Sequence, residues 1–343
     1  MTSIRYSVVV PVYGNEATLP ALVERLEQLA TRLDGPLEAV FVVDGSPDGS
    51  LLVLRRLLST AALHSQLVAH SRNFGSFAAI RTGFAAAEGD FVAAMAADLQ
   101  EPVELVEEFF QALATGEYDV AVGTRAGRDD PRTTMFLSRA FWALYRRSVH
   151  REMPAGGVDI FGCTRQVANQ LVALDESHSS LVGLLYWLGF RRVEVPYRRA
   201  PRPEGKSGWS FKRKMRYFLD SVFSFTDVPV MLLTMIGAVG AVLTVLAGAF
   251  LVGARLSGVI DEAGYTPLML VVLLSTFTLL FGLGVVGSYV WRTYENSKGR
   301  PSSVSMSHER FRAPRLTTEQ VPAVAPTIPG TRTYSETPDR VEV

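Results

Sequence analysis

Along the first 125 residues, apolar runs of strand length alternate with stretches whose apolar residues recur every three or four positions. The run 6–13 (YSVVVPVY) is followed by Leu19, Leu22, Val23, Leu26, Leu29 and Leu33, one face of an amphipathic helix with Pro20 in its first turn. Further strands are expected at 38–44, 66–71, 90–98 and 118–125. Helices are expected between them: from Ser50, as a cap, to about residue 62, from Ser76 to Glu88, and from Pro102 to Thr115. Strands without polar alternation, each followed by a helix, predict a mostly parallel Rossmann-type α/β sheet covered on both faces. The run 6–12 is short and broken by Pro11, so it reads as a first strand and not as a signal peptide. Residues 126–200 predict a helix at 133–150, a short strand at 158–163, two helices to about 189 and a strand at 191–197.

From 211 the pattern changes. Phe211, Met215, Phe218, Leu219, Val222 and Phe225 recur at helical spacing beside Lys212, Arg213, Lys214 and Arg216, which predicts an amphipathic helix over 211–228 lying in a membrane interface. Two uncharged stretches follow, 230–254 and 267–291. Each exceeds the roughly 20 residues that cross a hydrocarbon layer, so a transmembrane hairpin is expected over 229–292. The basic residues before it, with Arg292, Lys298 and Arg300 after it, place the 1–210 domain and both termini in the cytoplasm by the positive-inside rule. Tyr289, Trp291 and Tyr294 suit the interface, and glycines in both spans permit a homo-oligomer. Residues 300–343, rich in Pro, Ser and Thr, are expected to be a disordered cytoplasmic tail.

Composition agrees with this layout. Hydrophobic residues make up 48% of 343 and mean hydropathy is +0.18. With 34 basic and 34 acidic residues there is no global charge to favour nucleic acid. One cysteine, Cys163, excludes an intramolecular disulfide and a Cys-based metal site, and fits a reducing compartment. The five histidines lack metal-ligand spacing and read as ordinary surface or core residues.

In open parallel sheets, ligands bind beyond the carboxyl ends of the strands. Here that rule selects 13–16, 44–50, 71–75 and 98–101. Acids at strand ends suit a nucleotide sugar, accepting from base and ribose and holding a divalent cation against a departing diphosphate.

The segments VVVPVYGNEATLP, FVVDGSPDGS, SRNFGSFAAIRTGF, MAADLQEP and RPEGKSGW together resemble the inverting family 2 glycosyltransferases of GT-A fold. Within that family they are most similar to the polyprenyl-phosphate glycosyltransferases of the dolichyl-phosphate mannose synthase and GtrB type, over about residues 5–300. The resemblance implies transfer of one sugar, with UDP-hexose favoured, to an undecaprenyl-type phosphate at the cytoplasmic face of the plasma membrane, with inversion. It implies a donor site of Pro11, Tyr13, Glu16, Asp44 and Arg72. It further implies that Asp98 and Gln100 hold Mg²⁺ or Mn²⁺, that Asp98 and Asp159 serve catalysis, and that Arg202, Lys206 and Ser207 receive the phosphates. A flippase is a further expected partner.

Departures from the family pattern are specific. Val43 and Ala96 replace acids, Gly14-Asn15 replaces an Asn-Glu pair with Glu16 one place later, and Ser76 replaces a lysine. Alternatives therefore stay open. Asp44 can bond its own turn, Asp98 can cap the Pro102 helix, Asp159 can be a buried structural acid, and the Arg202 region can be a solvated basic face. The whole chain can be a catalytically weakened scaffold that binds nucleotide sugar or glycolipid. A processive polysaccharide synthase is disfavoured by two spans and the lack of a Q-x-x-R-W segment.

Overall fold

The computed structural model describes residues 4–125, 152–154, 158, 160–174, 176, 180–200, 219–226, 228–257 and 265–313. The expected helix at 133–150, Asp159, the 201–210 loop, the basic part of the interface helix and the tail beyond 313 lie outside the described residues.

The alternation of runs builds β1 (Tyr6–Val12), α1 (Leu19–Arg32), β2 (Leu37–Val43), α2 (Ser50–Leu58), β3 (His64–His70), α3 (Ser76–Ala86), β4 (Phe91–Ala94), α4 (Glu104–Ala114) and β5 (Val120–Arg125). Next come β6 (Phe161–Thr164), α5 (Arg165–Ala173), α6 (Leu181–Trp187) and β7 (Arg192–Tyr197). One sheet runs β7-β5-β6-β4-β1-β2-β3-β8, where β8 is Ser305–Phe311. β1 pairs parallel with β2 and β4, β2 with β3, and β5 with β7; β6 and β8 pair antiparallel with their neighbours. The mostly parallel, GT-A-like α/β sheet is therefore present.

The apolar runs lack alternation because each face of the sheet has its own core. Tyr6, Val8, Val10 and Val12 of β1, with Leu37, Ala39, Phe41 and Val43 of β2, pack with α1, α2 and α4. Val9, Val40 and Val42 point the other way, into a second cluster with Ala79, Phe84, Val167, Leu171 and Leu184 from α3, α5 and α6. Period-two geometry sends successive side chains to opposite faces, and here both faces are dry.

Several boundaries differ from expectation. β4 ends at Ala94 and not near 98, because the chain leaves the sheet there: the Met95 N–H bonds to Val9 O, and β1 and β4 pair no further. Ser50 does not cap α2. The cap is Gly49, and Asp48 accepts from the Ser50 N–H at 3.1 Å. The expected disorder beyond 300 is corrected for 305–311, which form β8 along the edge of β3. Its sequence, SMSHERF, carries little hydrophobic signal, so main-chain pairing and polar contacts hold it. Arg55 grips Glu309 through both carboxylate oxygens (Nη2 to Oε1 2.5 Å, Nε to Oε2 3.0 Å), and His308 Nε2 lies 2.7 Å from Gln66 Oε1.

α7 (Leu219–Phe225) is what the structure describes of the amphipathic helix. It is bracketed on two sides. The Phe225 ring fills the space where Gly183 of α6 lacks a Cβ, while Asp220 accepts from Arg292 at 2.8 Å and Phe223 packs on Tyr289. Arg292 and Tyr289 belong to the last of two long helices, α8 (Val228–Leu256) and α9 (Tyr265–Ser297). These hold the two apolar stretches. By length and composition, 274–297 of α9 forms a helix able to cross a membrane, and the bent pair of α7 with 228–237 passes the same test jointly. Large apolar side chains on both point outward, including Met231, Leu246, Phe250, Leu274 and Leu283.

Gly83 of α3 lies so close to β1 that an added Cβ would collide with the Val9 side chain. Gly83→Ala is expected to destabilise the chain by about 1–3 kcal/mol through overpacking, measured as a lower midpoint in urea unfolding.

Candidate functional site

The strand order reverses at β1, where β2 lies on one side and β4 on the other. In this switch geometry the loops after neighbouring strands diverge and leave a crevice. Pro11 sits at the split. Val12 O accepts from Asp44 N toward β2, and Val9 O accepts from Met95 N toward β4, so the alternating backbone turns Pro11 toward the β4 side. β4 has already departed there, and the missing proline N–H leaves no ladder bond unmade.

Short polar side chains tie the rim loops together. The Thr18 hydroxyl donates to Ala97 O at 2.7 Å, joining the start of α1 to the backbone just before Asp98. Gly14 N–H donates to Ser46 Oγ at 2.8 Å, Glu16 N–H to Asp48 Oδ2 at 3.1 Å, and Gly49 N–H to Glu16 Oε2 at 2.8 Å. The loops after β1 and β2 are thus cross-braced by reciprocal bonds, and a Cβ at Gly49 would strike the Glu16 carboxylate. Asp48 also accepts from Ser46 Oγ at 2.6 Å. Burial alone would raise its carboxyl, but hydrogen bonds from Ser46, Ser50 and the Glu16 backbone outweigh burial and hold it below the usual carboxylate range.

Asp44 has a role that its sequence neighbourhood did not reveal. Its carboxylate is buried and bonds not its own turn but the turn after β3. Oδ1 accepts from Phe74 N–H at 2.8 Å and lies 2.8 Å from His70 Nδ1; Oδ2 accepts from Gly75 N–H at 2.7 Å. Gly45, at φ +58, lacks the Cβ that would collide with the Arg72–Asn73 backbone, so the two turns can touch. Amide groups that lead into α3 are therefore already matched by a protein carboxylate, not held open for a ligand phosphate. Arg72 and Phe74 form the outer surface of this turn, with the guanidinium 4.2 Å from the ring centroid. Tyr13 is half exposed at 52% on the adjacent loop.

Asp98 is 9% exposed at the end of the β4 excursion and accepts from Gln100 N–H at 3.3 Å. It does not cap α4, whose cap is Val103 without a side-chain bond. Between them Leu99 adopts φ 57, a left-handed conformation that leucine rarely takes. Such strain collects at functional turns. Glu101 is almost fully buried and ion-paired to Arg199 at 3.3 Å. Ala200 N–H donates to Gln100 O at 2.9 Å, and Gln100 Nε2 donates to Ala200 O at 3.3 Å. Arg199 and Ala200 are therefore fastened to Glu101 and Gln100, next to Asp98 in the chain, while Arg202, Lys206 and Ser207, like Asp159, lie outside the described residues.

Among the expected residues, the structure brings Pro11, Tyr13, Glu16, Asp44, Arg72, Asp98 and Gln100 to one rim. It assigns Glu16 and Asp44 to bracing. Thr18, Asp48, His70 and Arg199 join the site unannounced. Asp48, in a D-G-S turn, carried a capping signal, whereas the others depend on contacts between distant segments. No group of three or more metal-ligating side chains occurs among the described residues. Asp98 still fits a hard cation that takes one protein carboxylate and completes its shell with diphosphate oxygens and water.

An open, mostly parallel α/β sheet with a braced rim at its switch point is the architecture in which ligands bind beyond the strand ends. Residues 7–171 match the model for glycosyl transferase family 2. The chain is 32% identical to the uncharacterized glycosyltransferase sll0501 of Synechocystis sp. over 302 residues, 87% of this chain and 94% of that protein. It is 31% identical to an undecaprenyl-phosphate 4-deoxy-4-formamido-L-arabinose transferase of Pectobacterium carotovorum, covering 86% and 90% of the two chains. A solved structure of glucosyl-3-phosphoglycerate synthase from Mycobacterium tuberculosis with UDP aligns at TM-score 0.46 and 18% identity, over 64% of this chain and 79% of that one. The chain belongs to glycosyl transferase family 2 and is a glycosyltransferase.

Asp44→Asn replaces one acceptor oxygen with an amide that faces a donor. A loss of about 1–3 kcal/mol in unfolding free energy is expected, read from urea denaturation. For Asp48 the folded value lies below the unfolded one, so its contribution is present above the ordinary carboxylate range of about pH 4 and fades as pH falls. The stability gap between wild type and Asp48→Asn is accordingly expected at pH 7 and should narrow below about pH 4.

Proposed function

We propose that this enzyme transfers one sugar from a nucleoside diphosphate sugar, a UDP-hexose in the favoured reading, to an undecaprenyl-type polyprenyl phosphate at the cytoplasmic face of a membrane. The observation that carries the proposal is the pairing, in one chain, of a donor-type rim centred on Asp98 with two long helices whose apolar side chains face outward. Such a layout suits one water-soluble and one lipid-bound substrate. The undecaprenyl-phosphate transferase relative aligns over 297 residues, a span too long for the catalytic domain alone. In this reading α8 and α9 form a transmembrane hairpin, and basic residues on both flanks keep the domain and both termini cytoplasmic.

The acceptor phosphate monoester has a second pKa of about 6 and is largely ionised at neutral pH, so it needs no strong general base. Its oxygen attacks the anomeric carbon as the bond to the diphosphate breaks. The electron pair leaves with the nucleoside diphosphate, and the anomeric configuration inverts. The work of the protein is to hold two anions in line and offset their repulsion. Tyr13 and Arg72 offer surface to the donor, while Glu16 and Asp44 keep the loops in place. A divalent cation, when bound, neutralises charge on the leaving diphosphate, and Asp98 with neighbouring Gln100 would hold it. Arg202, Lys206 and Ser207, which follow Ala200 in the chain, are assigned to the phosphates. Asp159 is assigned to the acceptor side.

A weakened scaffold is the competing reading, motivated by Val43, which is buried in the core, and by Ala96. Membranes containing the chain, given a panel of radiolabelled nucleotide sugars and undecaprenyl phosphate, should yield a lipid-extractable product with a single sugar. Nucleoside diphosphate release should depend on the added lipid. Binding without release under those conditions would favour the scaffold. Asp98→Asn is expected to lower turnover by about 100-fold or more, and Asp159→Asn only modestly. Near-wild-type turnover of Asp98→Asn with divalent metal supplied would refute the assignment of Asp98.

A further inference from the structure

We propose that His70 is a positioning residue for the donor site, and that the segment following α9 supports that site through it. This rests on the transferase reading above. His70 closes β3 and is 2% exposed. Nδ1 lies 2.8 Å from Asp44 Oδ1, and Nε2 lies 2.9 Å from Thr82 Oγ1 on α3. Thr82 Oγ1 is in turn 2.8 Å from Ser303 Oγ, between α9 and β8. The same stretch is fastened by Ser71 N–H donating to Val304 O at 3.0 Å. A continuous polar chain thus runs from the exit of the last long helix to the carboxylate that holds the Phe74 and Gly75 amides.

Chemistry gives this chain one consistent order in the neutral state. A carboxylate only accepts, so Nδ1 carries the proton toward Asp44, and Nε2 is left as an acceptor. Thr82 O–H then donates to Nε2, and Ser303 O–H donates to Thr82. Every group has a partner, and each bond polarises the next. The consequence is directional. Ser303 and Thr82 fix the imidazole, the imidazole fixes the rotamer of Asp44, and Asp44 fixes the turn that presents Arg72 and Phe74. The Phe74 ring also meets the imidazole edge-on, with centroids 5.5 Å apart. His70 touches none of the groups assigned to substrate, so it acts through Asp44.

The test uses the full-length chain in detergent or membranes, with Thr82→Val, Ser303→Ala, His70→Phe and His70→Asn. Thr82→Val and Ser303→Ala remove single hydroxyls from partly buried places, and His70→Asn keeps a donor toward Asp44. Hydrogen–deuterium exchange of a peptide spanning 71–78 is expected to quicken by roughly 3- to 10-fold in Thr82→Val and Ser303→Ala, the worth of one hydrogen bond. Peptides from β1 and β2 should keep wild-type protection. KM for the donor should rise by a similar factor of roughly 3–10 with kcat little changed, because the turn is displaced and the reacting groups are not. His70→Phe should show the larger effect, and His70→Asn should recover much of it. Unchanged exchange at 71–78 in both hydroxyl variants would overturn the proposal, as would faster exchange with an unaltered donor KM. Absence of transfer by the wild type from any donor would instead refute the transferase reading, since exchange is read without substrate.

Discussion

The site depends on the parting of β4 from β1 beyond Val9. Two central parallel strands that stayed paired to their ends would close the crevice with a hydrogen-bond ladder. Here the ladder stops at the Met95 N–H, and the chain that follows swings away to carry Asp98. Pro11 is compatible with the split because it has no N–H to lose on that side. Thr18 then spans the gap and bonds Ala97 O, which limits how far the two loops can separate.

A rim of this kind has many backbone amides with no ladder partner, and burying them unmatched is costly. Internal acids solve that problem. Asp44 takes Phe74 and Gly75, Asp48 takes Glu16 and Ser50, and Glu16 takes Gly49. Acids that look in sequence like ligand-binding groups, Glu16, Asp44 and Asp48, thereby serve as internal acceptors. This also explains how Val43 is accommodated: its side chain packs into the core behind the rim, and Asp44 alone makes the brace.

The apolar helices connect to the domain at two places. On the incoming side, α7 is held between α6 and α9 through Phe225, Asp220 and Phe223. On the outgoing side, β8 adds itself to the sheet beside β3 and is locked by Arg55 and Gln66. Two attachments restrict the orientation of the rim far more than one flexible linker would. The proposed reaction between a dissolved donor and a lipid headgroup would benefit from that restriction, because it requires two anions to meet in line.

The sequence by itself determined the layers and the apolar helices. The runs 6–13, 38–44 and 66–71 and the spaced apolar residues of 19–33 are best buried as covered strands and an amphipathic helix, and the 230–254 and 267–291 stretches carry their own signal in the absence of charge. It also pointed to the carboxyl ends of β1 to β4, where the braced rim loops gather, because crossover connections dictate where loops lie. What tertiary structure decided was the identity of partners. That Asp44 bonds residues 74 and 75 and not its own turn, that His70 reaches Ser303, and that a polar segment becomes β8 all depend on contacts between parts of the chain far apart in sequence. Local pattern records which side chains can donate or accept, and only the packed fold fixes which donor meets which acceptor.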